Sequence, residues 1–127
     1  MGLESFAAEL ASARPADEGL EEMAAALEQM EEAARTNDVA ALVRSDVMFH
    51  QGLCRAAGNP ALAELAEELG GRLLPERAAT WDLSGRPQRS LVEHREICDA
   101  VRAGDPGRAR SAVLNHLSSV REDVEKF

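Results

Sequence analysis

Apolar residues recur at every third or fourth position through most of the chain, and no segment alternates polar and apolar residues as a strand does. The breaks in this pattern fall at short stretches rich in Gly, Asn, Asp and Pro, such as GNP at 58–60 and AGDPG at 103–107. The pattern predicts an all-α antiparallel bundle of about six helices. The predicted helices lie at about 3–15, 17–35, 38–57, 60–79, 88–103 and 106–125.

Composition further limits the fold class and the functions open to the chain. Aromatic residues make up 3% of the chain and Tyr is absent, which favours helices over sheets. A length of 127 residues predicts one domain covering 1–127. The net charge of −9 argues against direct binding of nucleic acid by this chain. No apolar run is long enough to span a membrane, and two isolated cysteines fit a reduced, cytoplasmic protein.

Four polar residues fall on apolar helix faces, where such residues are unusual. Asp46 and His50 are four residues apart on the third predicted helix, so they point the same way. His94 and His116 lie on the apolar faces of the fifth and sixth predicted helices, and the chain has no other histidine. Three imidazoles and a carboxylate form a ligand set for one divalent transition metal. We expect zinc there, with nickel or manganese as alternatives.

Other interpretations of these positions stay open. A single histidine on an apolar face is more often a core residue with satisfied hydrogen bonds than a metal ligand. Cys54 and Cys98 lie one turn beyond two of the histidines, so they are either zinc ligands or small packing residues. Asn115, Glu93 and Asn59 are candidates to hold the second ring nitrogen of a histidine ligand.

Three arginines and one asparagine are candidates for binding an anionic ligand. Arg72 and Arg77 belong to the fourth predicted helix, Arg95 directly follows a histidine, and Asn59 lies in the turn before the fourth helix. An arginine beside a metal site can bind a carboxylate through two parallel hydrogen bonds. Each arginine is equally well interpreted as a solvated charge that offsets the many glutamates.

Two longer stretches carry a family resemblance. They read DVMFHQGLCRAAGNPAL at 46–62 and EHREICDAVRAGDPGRARSAVLNHL at 93–117. Together they contain Asp-x-x-x-His, an A-x-G-N turn, His-x-x-Ile, a G-D-x-x-x-A break and a final His-Leu. This pattern resembles the FCD domain, the C-terminal effector domain of FadR-type GntR transcriptional regulators, and the resemblance covers essentially the whole chain.

The resemblance implies a helical bundle that encloses a metal beside a pocket for a small organic acid. The family's metal ligands would fall on Asp46, His50, His94 and His116. We therefore expect a metal-dependent effector-binding and dimerisation domain, present as a homodimer and without enzymatic activity. The N-terminal winged helix of the family is absent from this chain, so DNA would be bound only through a domain outside it. The alternative function is a helical-bundle metalloenzyme with a His/Asp metal site.

Overall fold

The architecture is entirely helical in the residues described by the computed structural model, which are 2–13, 17–72 and 79–125. The all-α prediction is therefore confirmed, with a further helical turn at 79–81. Six longer helices follow one another along the chain. They are α1 (Gly2–Ala13), α2 (Asp17–Thr36), α3 (Val39–Ala56), α4 (Pro60–Arg72), α5 (Arg86–Arg102) and α6 (Pro106–Glu125).

The helix ends follow the local signals in the sequence. Asp38 caps α3 by accepting a hydrogen bond from the backbone N–H of Ala41 at 3.1 Å, and Asp105 caps α6 in the same way. Gly58 adopts the left-handed conformation after α3, with φ of 72°. Helix α5 begins at Arg86, two residues before its predicted start, because a proline is tolerated in the first turn of a helix.

Helix α4 differs from its prediction in one respect. Its predicted second half, including Leu73 and Arg77, falls in a stretch that lies outside the described residues. The apolar spacing of Leu62, Leu65, Leu69 and Leu73 predicts that they face the core, but 43% of the surface of Leu65 is exposed. Among the described helices α4 packs chiefly against α3, so one apolar partner covers only part of its circumference.

Helices α2 and α3 form the most extensive helix pair and cross at two glycines. A Cβ atom added to Gly19 of α2 would lie 2.3 Å from the backbone nitrogen of Ala56, and one added to Gly52 of α3 would lie 3.0 Å from the backbone nitrogen of Met23. No side chain fits between two backbones at this distance. The two glycines therefore fix how closely α3 is held against α2.

The remaining helices close the core around α3. Helix α1 packs against α3 and α6, and α5 packs against α2 and α6. The buried apolar residues form a single cluster that includes Met23, Phe49, Leu53, Ile97 and Val113. This packing brings the polar residues of α3, α5 and α6 into the interior. None of the described helices has the length and apolar character needed to cross a membrane.

Candidate metal centre

The three histidines meet in the interior of the bundle, together with Asp46. One ring nitrogen each from His50, His94 and His116 lies within 4.8 Å of those of the other two, and all three residues are buried. Oδ1 of Asp46 lies 3.0 Å from Nε2 of His50 and 3.1 Å from Nε2 of His94. The two Nε2 atoms are themselves 3.3 Å apart. The structure therefore brings together all four residues that the sequence predicted as metal ligands.

Hydrogen bonds on the outer side of His94 and His116 indicate which ring nitrogen of each carries the proton. Nδ1 of His94 lies 2.7 Å from the backbone carbonyl oxygen of Ser90, which can only accept, so Nδ1 is the protonated nitrogen. Nδ1 of His116 lies 2.6 Å from a carboxylate oxygen of Glu93. In the neutral form both rings therefore keep a lone pair on Nε2. For His94 that lone pair faces the Asp46 carboxylate and His50, which is unfavourable unless a proton or a cation lies between them.

The charges around the cluster call for a cation. Nδ1 of His50 lies 2.8 Å from Oε1 of Glu4, close enough for an ion pair. Burial by itself would lower the pKa of His50, but the charges of Glu4 and Asp46 outweigh it and raise that pKa to about 10. Burial and the neighbouring histidines lower the pKa of His116 to about 4. The two nearby carboxylates thus favour one positive charge at this position.

The donor atoms fit a first-row divalent metal. Metal–nitrogen bonds of about 2.0–2.1 Å place neighbouring ligand atoms roughly 2.9–3.4 Å apart in octahedral or tetrahedral geometry. Oδ1 of Asp46 and the Nε2 atoms of His50 and His94 form a triangle with sides of 3.0, 3.1 and 3.3 Å. Each of these atoms can offer a lone pair, and His94 and His116 are oriented from behind in the way that metal-binding histidines are. A triangle of this size matches one face of such a coordination polyhedron.

Two side chains at this site were missed by the sequence analysis. Nε1 of Trp81 donates to Oδ2 of Asp46 at 3.4 Å, while the contacts with His50 and His94 are made by Oδ1. Arg86 is fully buried at the start of α5 and contacts the carboxylate of Glu93. Its position could have been found from spacing, since residues 86, 90, 93 and 94 fall on one face of a helix. Trp81 had no comparable signal because it lies outside the long helices.

Of the residues predicted to bind an effector, those that the structure describes do not lie at the histidine cluster. Arg95 is turned about 100° around α5 from His94, is half-exposed and pairs with Glu31 of α2. Asn59 is exposed and caps α4 by accepting from the backbone N–H of Ala61. The side chain of Arg72 and the whole of Arg77 lie outside the described residues.

The alternative zinc site that includes cysteine is not formed in the part of the chain that the structure describes. Cys54 and Cys98 are both buried, and neither belongs to the histidine group. Burial and the charge of Glu4 raise the pKa of Cys54 to about 12, so its thiol is protonated at neutral pH. Of the three candidates to orient a histidine, Glu93 does so, Asn59 caps a helix and Asn115 is exposed.

Comparison with known proteins places the chain in a family. The family model described as "FCD domain" matches residues 1–119. Over 126 residues the chain is 34% identical to the HTH-type transcriptional repressor NanR of Escherichia coli K12, covering 98% of this chain and 47% of that protein. A second relative, an uncharacterized HTH-type transcriptional regulator in an unstable DNA locus of Streptomyces ambofaciens, is 36% identical over 82 residues, which are 65% of this chain and 35% of that protein.

A solved structure shows the same fold. Escherichia coli McbR/YncC superposes with a TM-score of 0.80 at 18% identity, over 99% of this chain and 64% of that one. The chain spans about half the length of the repressor that it matches. The two relatives named above are HTH-type transcriptional regulators rather than enzymes, in agreement with the expectation of a non-enzymatic protein.

Proposed function

The chain belongs to the FCD domain family, the effector-binding domains of GntR-type transcriptional regulators, and from this premise we propose that it is a metal-dependent sensor of a small carboxylate. The observation that carries the proposal is the buried triangle formed by Asp46, His50 and His94, with His116 beside it. These four residues would hold one divalent cation, with zinc preferred over nickel and manganese.

The net charge of the proposed metal site favours an anionic ligand. Three neutral imidazoles and one carboxylate leave a divalent cation with a residual charge of about +1. Attraction between opposite charges is strong in a buried, low-dielectric environment. The indole of Trp81 contacts Asp46 and also lines a cavity of about 340 Å³, together with residues that include Ser84 and Gln88. Trp81 is thus shared between the cluster and a cavity large enough for a small organic acid.

Membership of the family is the basis for proposing two further partners, DNA and a second copy of the chain. We propose that DNA is bound through a winged-helix domain outside this chain, and that the protein works in the cytoplasm as a homodimer. The acidic net charge of −9 supports the first point, because this domain alone would be repelled by phosphates. The dimer is tested by light scattering at micromolar concentration, where a species of only 13.7 kDa would contradict it.

We expect the metal-stripped chain to take up one zinc ion per chain. Saturation at 100 times Kd should add about 2.7 kcal/mol to the free energy of unfolding, because the ion binds the folded state alone. Asp46→Asn removes the carboxylate that contacts both His50 and His94, so most of this gain should disappear. The measurement is calorimetric titration combined with thermal unfolding.

Asp82→Asn is the matched control for the metal experiment. Asp82 is exposed and adjacent to Trp81, so its replacement changes the net charge equally without touching the histidines. Its zinc affinity should match that of the wild type. A wild-type chain that binds no zinc, or an Asp46→Asn chain that binds it equally well, would refute the metal proposal.

A small carboxylate should stabilise the zinc-loaded protein more than the metal-free protein. Malate, succinate and gluconate are suitable probes, with glucose as the uncharged control. At 100 times its Kd the active acid should add about 2.7 kcal/mol to the free energy of unfolding of the zinc-loaded form. The measurement is a thermal-shift screen on both forms. Equal responses of the two forms to every acid would show that the metal is structural only.

A further inference from the structure

Arg86 lies behind the histidine cluster and is fully buried. Its Nε donates to Oγ of Ser90 at 2.8 Å, and its Nη1 donates to Oγ of Ser119 at 2.9 Å and to Oδ2 of Asp123 at 2.8 Å. Its Nη2 contacts Oε1 of Glu93. A buried guanidinium with an acceptor at each of its three nitrogens is held in one orientation.

Glu93 connects this arginine to the metal site. The same carboxylate oxygen, Oε1, contacts Nη2 of Arg86 and lies 2.6 Å from Nδ1 of His116. Because this oxygen also faces the guanidinium of Arg86, which can only donate, Glu93 acts as an ionised acceptor, and the proton between it and His116 belongs to Nδ1.

We infer that Glu93, held in place by Arg86, is the positioning residue that fixes the ring orientation and the tautomer of His116. The inference rests on the proposed function, since it concerns the affinity of the same site for a metal. With Nδ1 protonated, Nε2 of His116 has the lone pair that a metal requires. Without an acceptor at Nδ1 the proton can move to Nε2, where it blocks that lone pair.

The two ends of this chain of contacts lie on the same helix. His116 and Asp123 are both on α6, seven residues apart, while Arg86 and Glu93 are both on α5. The contacts from Asp123 through Arg86 and Glu93 to His116 therefore form a closed loop between α5 and α6. His116 is consequently held by α5 as well as by its own helix.

The inference is tested first on the wild-type protein without metal. Nitrogen-15 NMR of the histidine rings should show His116 as the Nδ1-protonated tautomer. Glu93→Met removes the acceptor at nearly constant length, so the ring should shift toward the Nε2-protonated tautomer. Finding His116 Nε2-protonated in the metal-free wild type would overturn the inference without any reference to metal binding.

Zinc affinity gives the second readout. Loss of a group that orients a ligand from behind typically costs about 10–100-fold in metal affinity, and we expect this for Glu93→Met. Glu93→Gln keeps an acceptor oxygen but loses the charge, so its loss should be smaller. Glu96→Gln is the matched control, because Glu96 lies one turn further along α5, is half-exposed and pairs with Arg108.

The outcomes separate this inference from the proposed function. If the wild type binds zinc and folded Glu93→Met and Glu93→Gln bind it within about twofold of Glu96→Gln, the positioning role is refuted while the metal site stands. If Glu93→Met does not fold, the wild-type tautomer and the Glu93→Gln affinity still decide the matter. If the wild type binds no zinc, the proposed function fails, and the tautomer measurement alone tests the contact.

Discussion

Replacing Arg86 by methionine should lower the free energy of unfolding by about 3–5 kcal/mol, because removing one partner of a buried ion pair leaves the other charge uncompensated. Arg86 is fully buried and contacts both Glu93 and Asp123, which are largely buried themselves. Methionine fills much of the same volume, so lost packing accounts for little of the change. A loss of this size corresponds to a fall in Tm of roughly 10–20 °C for a domain of this length.

Arg89→Met is the control for this prediction. Arg89 lies one turn from Arg86 and binds the same oxygen of Asp123 at 2.6 Å, but its side chain is 47% exposed. Exposed ion pairs contribute about 1 kcal/mol or less, so this variant should lose far less stability. Arg86→Lys should recover only part of the wild-type stability, because one ammonium group cannot reach all four acceptors. If urea denaturation shows equal losses in the free energy of unfolding for Arg86→Met and Arg89→Met, the burial of Arg86 does not account for its effect.

Gly19→Ala should lower the free energy of unfolding by about 3 kcal/mol, at the upper end of the range for overpacked cores. The added methyl group would lie 2.3 Å from the backbone nitrogen of Ala56 and 2.6 Å from the carbonyl oxygen of Gly52. Backbone atoms cannot rotate away as a flexible side chain does, so α2 and α3 must move apart. The measurement is chemical denaturation followed by circular dichroism.

Gly107→Ala provides a control in which the expected change in the free energy of unfolding has the opposite sign. Gly107 lies in the first turn of α6, and a Cβ added there would come no closer than 3.8 Å to Oδ1 of Asp105. Alanine favours the helix over glycine by up to about 1 kcal/mol, so this variant should be slightly more stable than the wild type. A Gly19→Ala chain as stable as the wild type would show that the α2–α3 contact adapts easily.

The sequence predicted the helical fold and the meeting of four polar side chains because both depend on local periodicity. The spacing of Asp46 and His50 placed them on one face of a helix, and the apolar neighbours of His94 and His116 placed these in the core. Capping residues and left-handed glycines also have local causes, so the caps at Asp38 and Asp105 and the left-handed Gly58 follow from the residue types at the helix ends.

Contacts between distant segments could not be predicted in the same way. Arginines are mostly exposed, so helical spacing could place Arg86 on the same face as His94 but could not show that Arg86 is buried and Arg95 is not. The difference lies in the partners: Arg86 meets Ser119 and Asp123 of α6, more than 30 residues away, whereas Arg95 meets Glu31 at the surface. Leu65 shows the opposite error, in which an apolar residue predicted to be buried is exposed. Apolar spacing produces a buried face only if a second helix covers it.

The glycine crossing of α2 and α3 also has a consequence for the four candidate ligands, which fall into one pair on α3 and one pair on α5 and α6. Asp46 and His50 are on α3, which has no freedom to slide against α2 where Gly19 meets Ala56. His94 and His116 are on α5 and α6, which are tied to each other through Arg86 and Glu93. If the four residues hold a cation, one with longer bonds would therefore be accommodated more easily by a joint shift of α5 and α6 than by a movement of α3 against α2. Spin labels on α2 and α6 would record such a shift as a change in distance.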